Sequence, residues 1–518
     1  MPSSASLGGR DFILKRGPRP DRLRNETGVP DRYHIPTAPI APRFHRVGKF
    51  GNVDWREDCS RCTNCVKLRC LYDVYLHEAA YNRDPLTLVD TLDECKACLS
   101  CVQGCTKGLL SVSVNPEFLD MGDEYWKPDI LLTTWNQSDA GRIPVSGAGY
   151  RGRFHGPGFD SIWTDMSEIV RPTRDGIHGR EYISTSVDIG PKPMRLQFTP
   201  DGRLLTPPSH LLELQLPAIL DMPGWTVESE HLAAARAEAA MKLHSLAVMP
   251  AVEASELPPE RLPFIVPLLS GGGDGSGGDG GGSEGGAEGD VERHRGLLAA
   301  VRMAQATDGP DAAELIGTMQ TVHPHLIVSA RMVLRPTTAE RIVELGRAGV
   351  KVFQLCADQH GRERLDDGRP GRHIKDALRE VHGRLVKEGL RDEVTLIVSG
   401  GIALAEHMAK AIICGADLVA LDTPLLVALG CRVCRDRPCD SGSACPVEIG
   451  SIDPAYAAQR MVNLMGAWHS QLIEVLGAMG IREVRRLRGE VGRAIFLEDI
   501  EKEAFGDMAR VSQAQVCA

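Results

Sequence analysis

The chain has 518 residues, 42% of them hydrophobic, with 59 Lys and Arg against 69 Asp and Glu, a formal net charge of −10 and a pI of about 5.9. That length allows a full-size core plus a satellite domain, while the acidic balance repels nucleic acid. No stretch approaches the roughly 20 apolar residues that cross a bilayer, and 15 cysteines behind no apolar signal segment point to a reducing cytoplasm, where thiolates stay free for metal.

Residues 1–50, rich in Pro and Arg and without periodicity, read as an extended arm. Residues 51–115 carry two cysteine runs, Cys59-Cys62-Cys65-Cys70 and Cys95-Cys98-Cys101-Cys105. Three thiolates of each run share one tight loop, and the fourth ligand must come from elsewhere. In two-cluster ferredoxins the last cysteine of each run ligates the other cluster. Cys59, Cys62, Cys65 and Cys105 are therefore expected to hold one 4Fe-4S cluster, and Cys95, Cys98, Cys101 and Cys70 its partner. Zinc is the alternative, but paired C-x2-C knuckles would leave half of these thiols over. Residues 116–208 are polar and punctuated by Gly and Pro, and read as a connector that includes the charged stretch Asp165 to Arg180.

From residue 209 short apolar runs alternate with amphipathic stretches, the pattern of repeated β-α units around a parallel sheet. Strands are expected at Leu216–Leu220, Ser245–Met249, Pro263–Leu268, Leu315–Met319, Leu326–Ala330, Lys351–Cys356, Val394–Ser399 and Leu418–Leu421. Eight strands suit a closed (β/α)8 TIM barrel over residues 209–450. An open doubly wound sheet is the alternative, although Leu220 to Trp225 lacks the Gly-rich turn that should follow its first strand. Residues 270–290 are nearly all Gly, Ser, Asp and Glu, a composition that cannot order itself and reads as a flexible insertion. After the strand at 394–399, Gly400 and Gly401 precede a helix, where barrels commonly bind phosphate on backbone amides; a simple tight turn is the plain alternative.

Cys431, Cys434, Cys439 and Cys445, followed by Pro446, suit a further 3Fe-4S or 4Fe-4S cluster, with structural zinc as the alternative. Residues 451–518 read as C-terminal helices. Asp453-Pro454 gives an N-cap followed by Pro at the first helical position, and Met461, Leu464, Met465, Trp468, Leu472, Val475, Leu476 and Met479 form a packing stripe up to about Met479. Cys356 and Cys414 fall in apolar runs and read as core thiols.

The stretch from Gly389 through Val398-Ser-Gly-Gly-Ile402, with Gly415-Ala-Asp417, Ala428 to Cys431 and Cys445-Pro-Val447, resembles the FMN-binding domain of glutamate synthase. The likeness is greatest to the short bacterial and archaeal form with N-terminal ferredoxin motifs. That resemblance implies FMN in the barrel, a three-iron cluster after the last strand, and reductive amination of 2-oxoglutarate through 2-iminoglutarate to glutamate. By position, Ser399, Gly400 and Gly401 would contact the flavin phosphate, Thr423 would also touch the cofactor, and Arg331 would replace a lysine beside the isoalloxazine ring. It also implies an electron donor protein or reductase subunit, and ammonia from solution or a separate amidotransferase subunit, because the chain does not begin with a nucleophilic cysteine. Asp422 stands where the family has glycine, and a carboxylate facing phosphate opposes binding by like charge. An electron-transfer subunit whose flavin-free barrel serves as a scaffold is therefore the second reading.

Overall fold

In the computed structural model, residues 35–518 form one compact unit. The residues described are 33–44, 47–71 apart from 57, 61 and 63, 95, 98–143, 156–164, 183–193, 196–206, 209–224, 229–269, 287–323, 325–434, 445 and 447–506. Cys439, the stretch from Asp165 to Arg180 and residues 270–286 of the Gly-rich insertion lie outside them.

Eight parallel strands close into a barrel in chain order. They are β1 (Ala218–Leu220), β2 (Ala247–Pro250), β3 (Ile265–Leu269), β4 (Met303–Thr307), β5 (Ile327–Val333), β6 (Val352–Cys356), β7 (Thr395–Ser399) and β8 (Leu418–Leu421). Closure is made where β8 meets β1, Val419 opposite Ala218 and Leu421 opposite Leu220. The strands read as nearly continuous apolar runs because helices cover their outer face.

Seven of the eight expected strands form, with ends shifted by a few residues. The expected strand Leu315–Met319 does not: it lies inside the helix Ala312–Val322, which buries Ala312, Leu315, Ile316 and Met319 along one face. That spacing is helical. The fourth strand is instead Met303–Thr307, where Gln305 interrupts the apolar run that marks its neighbours.

Three helices position the site: α1 (Pro128–Ala140), α2 (Ala405–Ile413) and α3 (Pro454–Ala478). Helix α1 falls in a stretch that reads as connector in the sequence, and it packs against α3. Asp453 caps α3 as expected, accepting the Tyr456 amide at 2.8 Å. Buried Arg460 of α3 pairs with buried Asp139 of α1 and donates to the Ala428 carbonyl at 2.5 Å. Asn463 takes the Ala38 amide at 3.0 Å and returns a bond to the Ala38 carbonyl at 2.7 Å, which holds the chain around residue 38 against α3.

Beneath β7 and β8, Arg391 donates to Asp417 at 2.9 Å, to the Gly415 carbonyl at 2.7 Å and to the Val394 carbonyl at 2.8 Å. Ahead of these elements a two-stranded antiparallel ladder joins Phe50–Trp55 to Leu110–Val114, bracketing the cysteine runs. Among the described residues no helix is long and apolar enough to cross a membrane.

Replacing Asp139 with Ala leaves the Arg460 guanidinium buried without its counter-charge, and should cost about 3–5 kcal/mol of stability, read from the denaturation midpoint. Adding Arg460→Met should recover most of that loss. A wild-type midpoint for Asp139→Ala alone would refute the buried pair.

Candidate functional site

Side chains of alternate strand residues meet inside a barrel, and here the upper layer is polar. Arg331 of β5 reaches across to Asp221, just beyond β1, with Nη1 at 2.9 and 3.1 Å from the two carboxylate oxygens. The same Nη1 donates to Gln305 Oε1 of β4 at 3.3 Å. Gln305 Nε2 donates to Gln354 Oε1 of β6 at 2.5 Å, and Gln354 Nε2 returns to Asp221 Oδ2 at 2.5 Å. The four residues thus form a closed ring of hydrogen bonds, with Asp221, Gln305 and Gln354 buried. Burial works against the charge on Arg331, but the charge and hydrogen bonds of Asp221 outweigh it and hold the guanidinium protonated.

Cys356, at the end of β6, has its thiol pushed up by burial despite nearby Arg331. It is a protonated thiol rather than a nucleophile. Asp422 caps the short helix Thr423–Ala428 by accepting the Thr423 amide at 2.5 Å. Burial and the Asp221 charge raise its carboxyl to about 7, against the pull of that amide and of Arg331. The repulsion expected from Asp422 is therefore weaker than its residue type implies, since a good part of it is protonated near neutral pH.

Ser399 ends β7, and the turn after it passes through Gly400 and Gly401 at φ of 93° and 69°. Both lie in the left-handed region that favours glycine. A Cβ on Gly401 would stand 2.6 Å from Gly361 Cα, so the turn is glycine because the loop between β6 and the next hairpin presses on it. A strap from Gly122 to Trp126 lies over the same turn. Tyr125 donates its hydroxyl to the Gly401 carbonyl at 2.6 Å, and Trp126 Nε1 donates to the Gln359 carbonyl at 2.8 Å. Asp123 accepts the amides of Tyr125 and Trp126 and meets His360 Nε2 at 2.8 Å. His360 is raised by that hydrogen bond, whereas burial of Asp123 is outweighed by His360 and the Trp126 amide, so its carboxyl sits below the usual range. Gly122 donates to the Arg432 carbonyl at 2.9 Å, beside Cys431.

The expected phosphate contacts Ser399, Gly400 and Gly401, and Thr423, expected to touch the cofactor, stand at the ends of β7 and β8, and all are buried. Arg331 is on the lumen wall with 16% of its side chain exposed. Of the cysteines, Cys101 lies within electrostatic reach of Cys95, Cys70 and Cys98, and burial followed by those neighbours pushes its thiol up to about 11, against the Val102 amide. Cys70 of the first run is thus among the thiols that bear electrostatically on Cys101 of the second, and thiolates are the donor type that an iron–sulfur cluster takes. Cys105 Sγ accepts the Leu109 amide at 3.3 Å, and amides of its own loop lower its thiol. Cys65 is buried, Cys59 half-buried and Cys62 exposed. Cys431 is buried and accepts the Val433 amide at 3.4 Å, while Cys434 and Cys445 are half-buried.

Asp221, Gln305, Gln354 and the strap residues were not legible as site residues. The one available signal was a glutamine in the middle of each apolar run, at Gln305 and Gln354.

A closed parallel barrel with a charged lumen, preceded and followed in sequence by thiol runs, defines a (β/α)8-barrel protein. Residues 362–482, which contain β7, β8, the second cysteine group and α3, match the conserved region in glutamate synthase. The archaeal-type glutamate synthase (NADPH) of Dehalococcoides mccartyi is 24% identical over 480 residues, 84% of this chain and 93% of that one. The archaeal glutamate synthase (NADPH) of Methanocaldococcus jannaschii is 26% identical over 435 residues, 74% of this chain and 84% of that one. That of Archaeoglobus fulgidus is 39% identical over 142 residues, 26% of this chain and 27% of that one. The chain is thus similar to glutamate synthases along most of its length, and these likenesses support a glutamate synthase-like oxidoreductase.

Folded Asp422 keeps its proton up to about pH 7, whereas an unfolded aspartate loses it near about pH 4. The folded state holds more protons between those values, so this group makes stability fall as pH rises from about 4 to about 7, and level off above. Asp422→Asn retains the cap and removes that slope. It should match the wild type at pH 5 and gain about 1–3 kcal/mol at pH 8; parallel stability curves would show that Asp422 is an ordinary ionised carboxylate.

Proposed function

We propose that this chain is an iron–sulfur flavoprotein of the glutamate synthase type, which forms glutamate or a related amine by reductive amination of a 2-oxo acid such as 2-oxoglutarate. What supports the reading is the match of residues 362–482 to the conserved region in glutamate synthase, on a chain that carries two four-cysteine runs ahead of its barrel. Cys70 with Cys95, Cys98 and Cys101 would hold one 4Fe-4S cluster. Cys59, Cys62, Cys65 and Cys105 would hold a second 4Fe-4S cluster. Cys445 with two of Cys431, Cys434 and Cys439 would hold the third. FMN bound at the barrel mouth would supply hydride chemistry to the imine carbon. Arg331 would offer that group a positive charge from the lumen wall, while Ser399, Gly400, Gly401 and Thr423 would take its phosphate. Asp221 tethers Arg331 in place, and the strap at Tyr125 roofs the β7 turn and keeps water from it. A cytoplasmic setting, an electron donor protein or reductase and a separate source of ammonia complete the proposal.

The ring around Arg331 favours a second reading, the flavin-free scaffold. Its cation is already answered by Asp221, and Ser399 and Thr423 are 2% and 0% exposed. Protein purified without oxygen separates the two. The flavoprotein reading expects iron at cluster stoichiometry together with about one FMN per chain; iron with no flavin, and no turnover of 2-oxoglutarate with ammonia, would leave only the scaffold. Cys70→Ser should remove about four irons, those held with Cys95, Cys98 and Cys101, and leave the cluster on Cys59, Cys62, Cys65 and Cys105 in place. Unchanged iron content in that variant would refute the crossed ligand sets.

A further inference from the structure

The chain ends that leave the barrel side by side after β7 and β8 are unequally provided with donors. Ser399 pairs with Ala420 across the β7–β8 ladder, so Gly401 and Asp422 each stand two residues beyond that pair. On the β7 side the amides of Gly400 and Gly401 donate to no acceptor among the described residues, although both glycines are buried. Buried amides are nearly always paired, so two idle ones mark a place for a ligand that accepts. On the β8 side the first turn of the helix has no amide to give. Asp422 takes the Thr423 amide on its own carboxylate at 2.5 Å, Pro424 has no amide hydrogen, and the Leu425 amide donates to the Asp422 carbonyl at 3.0 Å.

The β8 side also carries the wrong charge for a phosphate. Asp422 is buried, and within its electrostatic reach stand Asp221 beyond β1, Arg331 of β5 and the Cys356 thiol of β6. Arg331 gives its hydrogen bonds to Asp221 and Gln305 instead. An ionised Asp422 therefore sets a further negative charge against a phosphate dianion in a water-poor site, where like charges are weakly screened. Protonated, it sets none.

Resting on the flavoprotein reading, we infer that Asp422 decides which form of the cofactor the barrel mouth accepts: ionised, it rejects a phosphate monoester dianion and admits the same ring system without phosphate, and protonated, it admits both. Burial and the Asp221 charge hold Asp422 protonated up to about pH 7, so the rejection sets in above that pH. The test is equilibrium dialysis of the full-length chain, purified without oxygen, against FMN and against riboflavin at pH 6 and pH 8.5. D422N keeps the cap and removes the charge. Wild type should lose at least about tenfold in FMN affinity between the two pH values, and D422N should bind FMN at least about tenfold more tightly than wild type at pH 8.5. The phosphate of FMN itself ionises near about pH 6, and D422N reads that contribution alone. Riboflavin should bind equally in both proteins at both pH values. Equal FMN affinities in wild type and D422N at pH 8.5, with either flavin bound, would overturn the role of Asp422 and leave the flavoprotein reading standing. Neither flavin bound by either protein at either pH would overturn that reading and this role with it. In wild type alone, a ratio of FMN to riboflavin affinity that does not fall as pH rises would overturn the role even if the variant misfolds.

Discussion

A guanidinium inside a barrel has to be answered where it stands, and the answer given to Arg331 organises the upper lumen. Asp221 supplies the counter-charge, and Gln305 and Gln354 satisfy the remaining donors and acceptors, so β1, β4, β5 and β6 are tied by one hydrogen-bonded ring. Barrel interiors are usually filled by branched apolar side chains in layers. Here one layer is polar and fully connected, which is the condition under which buried polar groups do not cost more than they contribute. Removing any one member would strand the others in a low dielectric. The neighbouring Asp422 takes its unusual proton affinity from burial first and then from the charge of Asp221.

The strap carries the same logic outward. It follows the strand that closes the cysteine-bearing ladder; its side chains touch the β7 turn through Tyr125 and the loop after β6 through Asp123 and Trp126, and its Gly122 amide donates to the Arg432 carbonyl of the second cysteine segment. Three regions far apart in sequence are thereby held at one corner of the barrel.

Part of the stretch that carries the family likeness has a structural task. Arg391 and Asp417, which fall within it, brace the lower ends of β7 and β8 and bind no ligand in this arrangement. Burial works against ionised Asp417, yet Arg391, Lys192 and Arg488 surround it and hold its carboxyl below the usual range. The likeness to glutamate synthase is in this respect a likeness of scaffold: the brace sets the strands whose other ends present Ser399 and Thr423.

What could be read along the chain is what depends on neighbours in sequence. Thiol spacing, the Asp453-Pro454 cap, the Gly-Gly turn and the apolar runs of seven strands are local patterns, and local geometry is enough to express them. The fourth strand escaped because Gln305 disguises it, and Leu315–Met319 was mistaken for it because a short apolar run has no decisive period. Only the folded chain decided the partners of Arg331, the burial of Asp422, and the strap over Gly401. Each of these joins residues dozens to hundreds of positions apart, and the free energy of such a contact exists only once barrel closure has brought both sides out of water together.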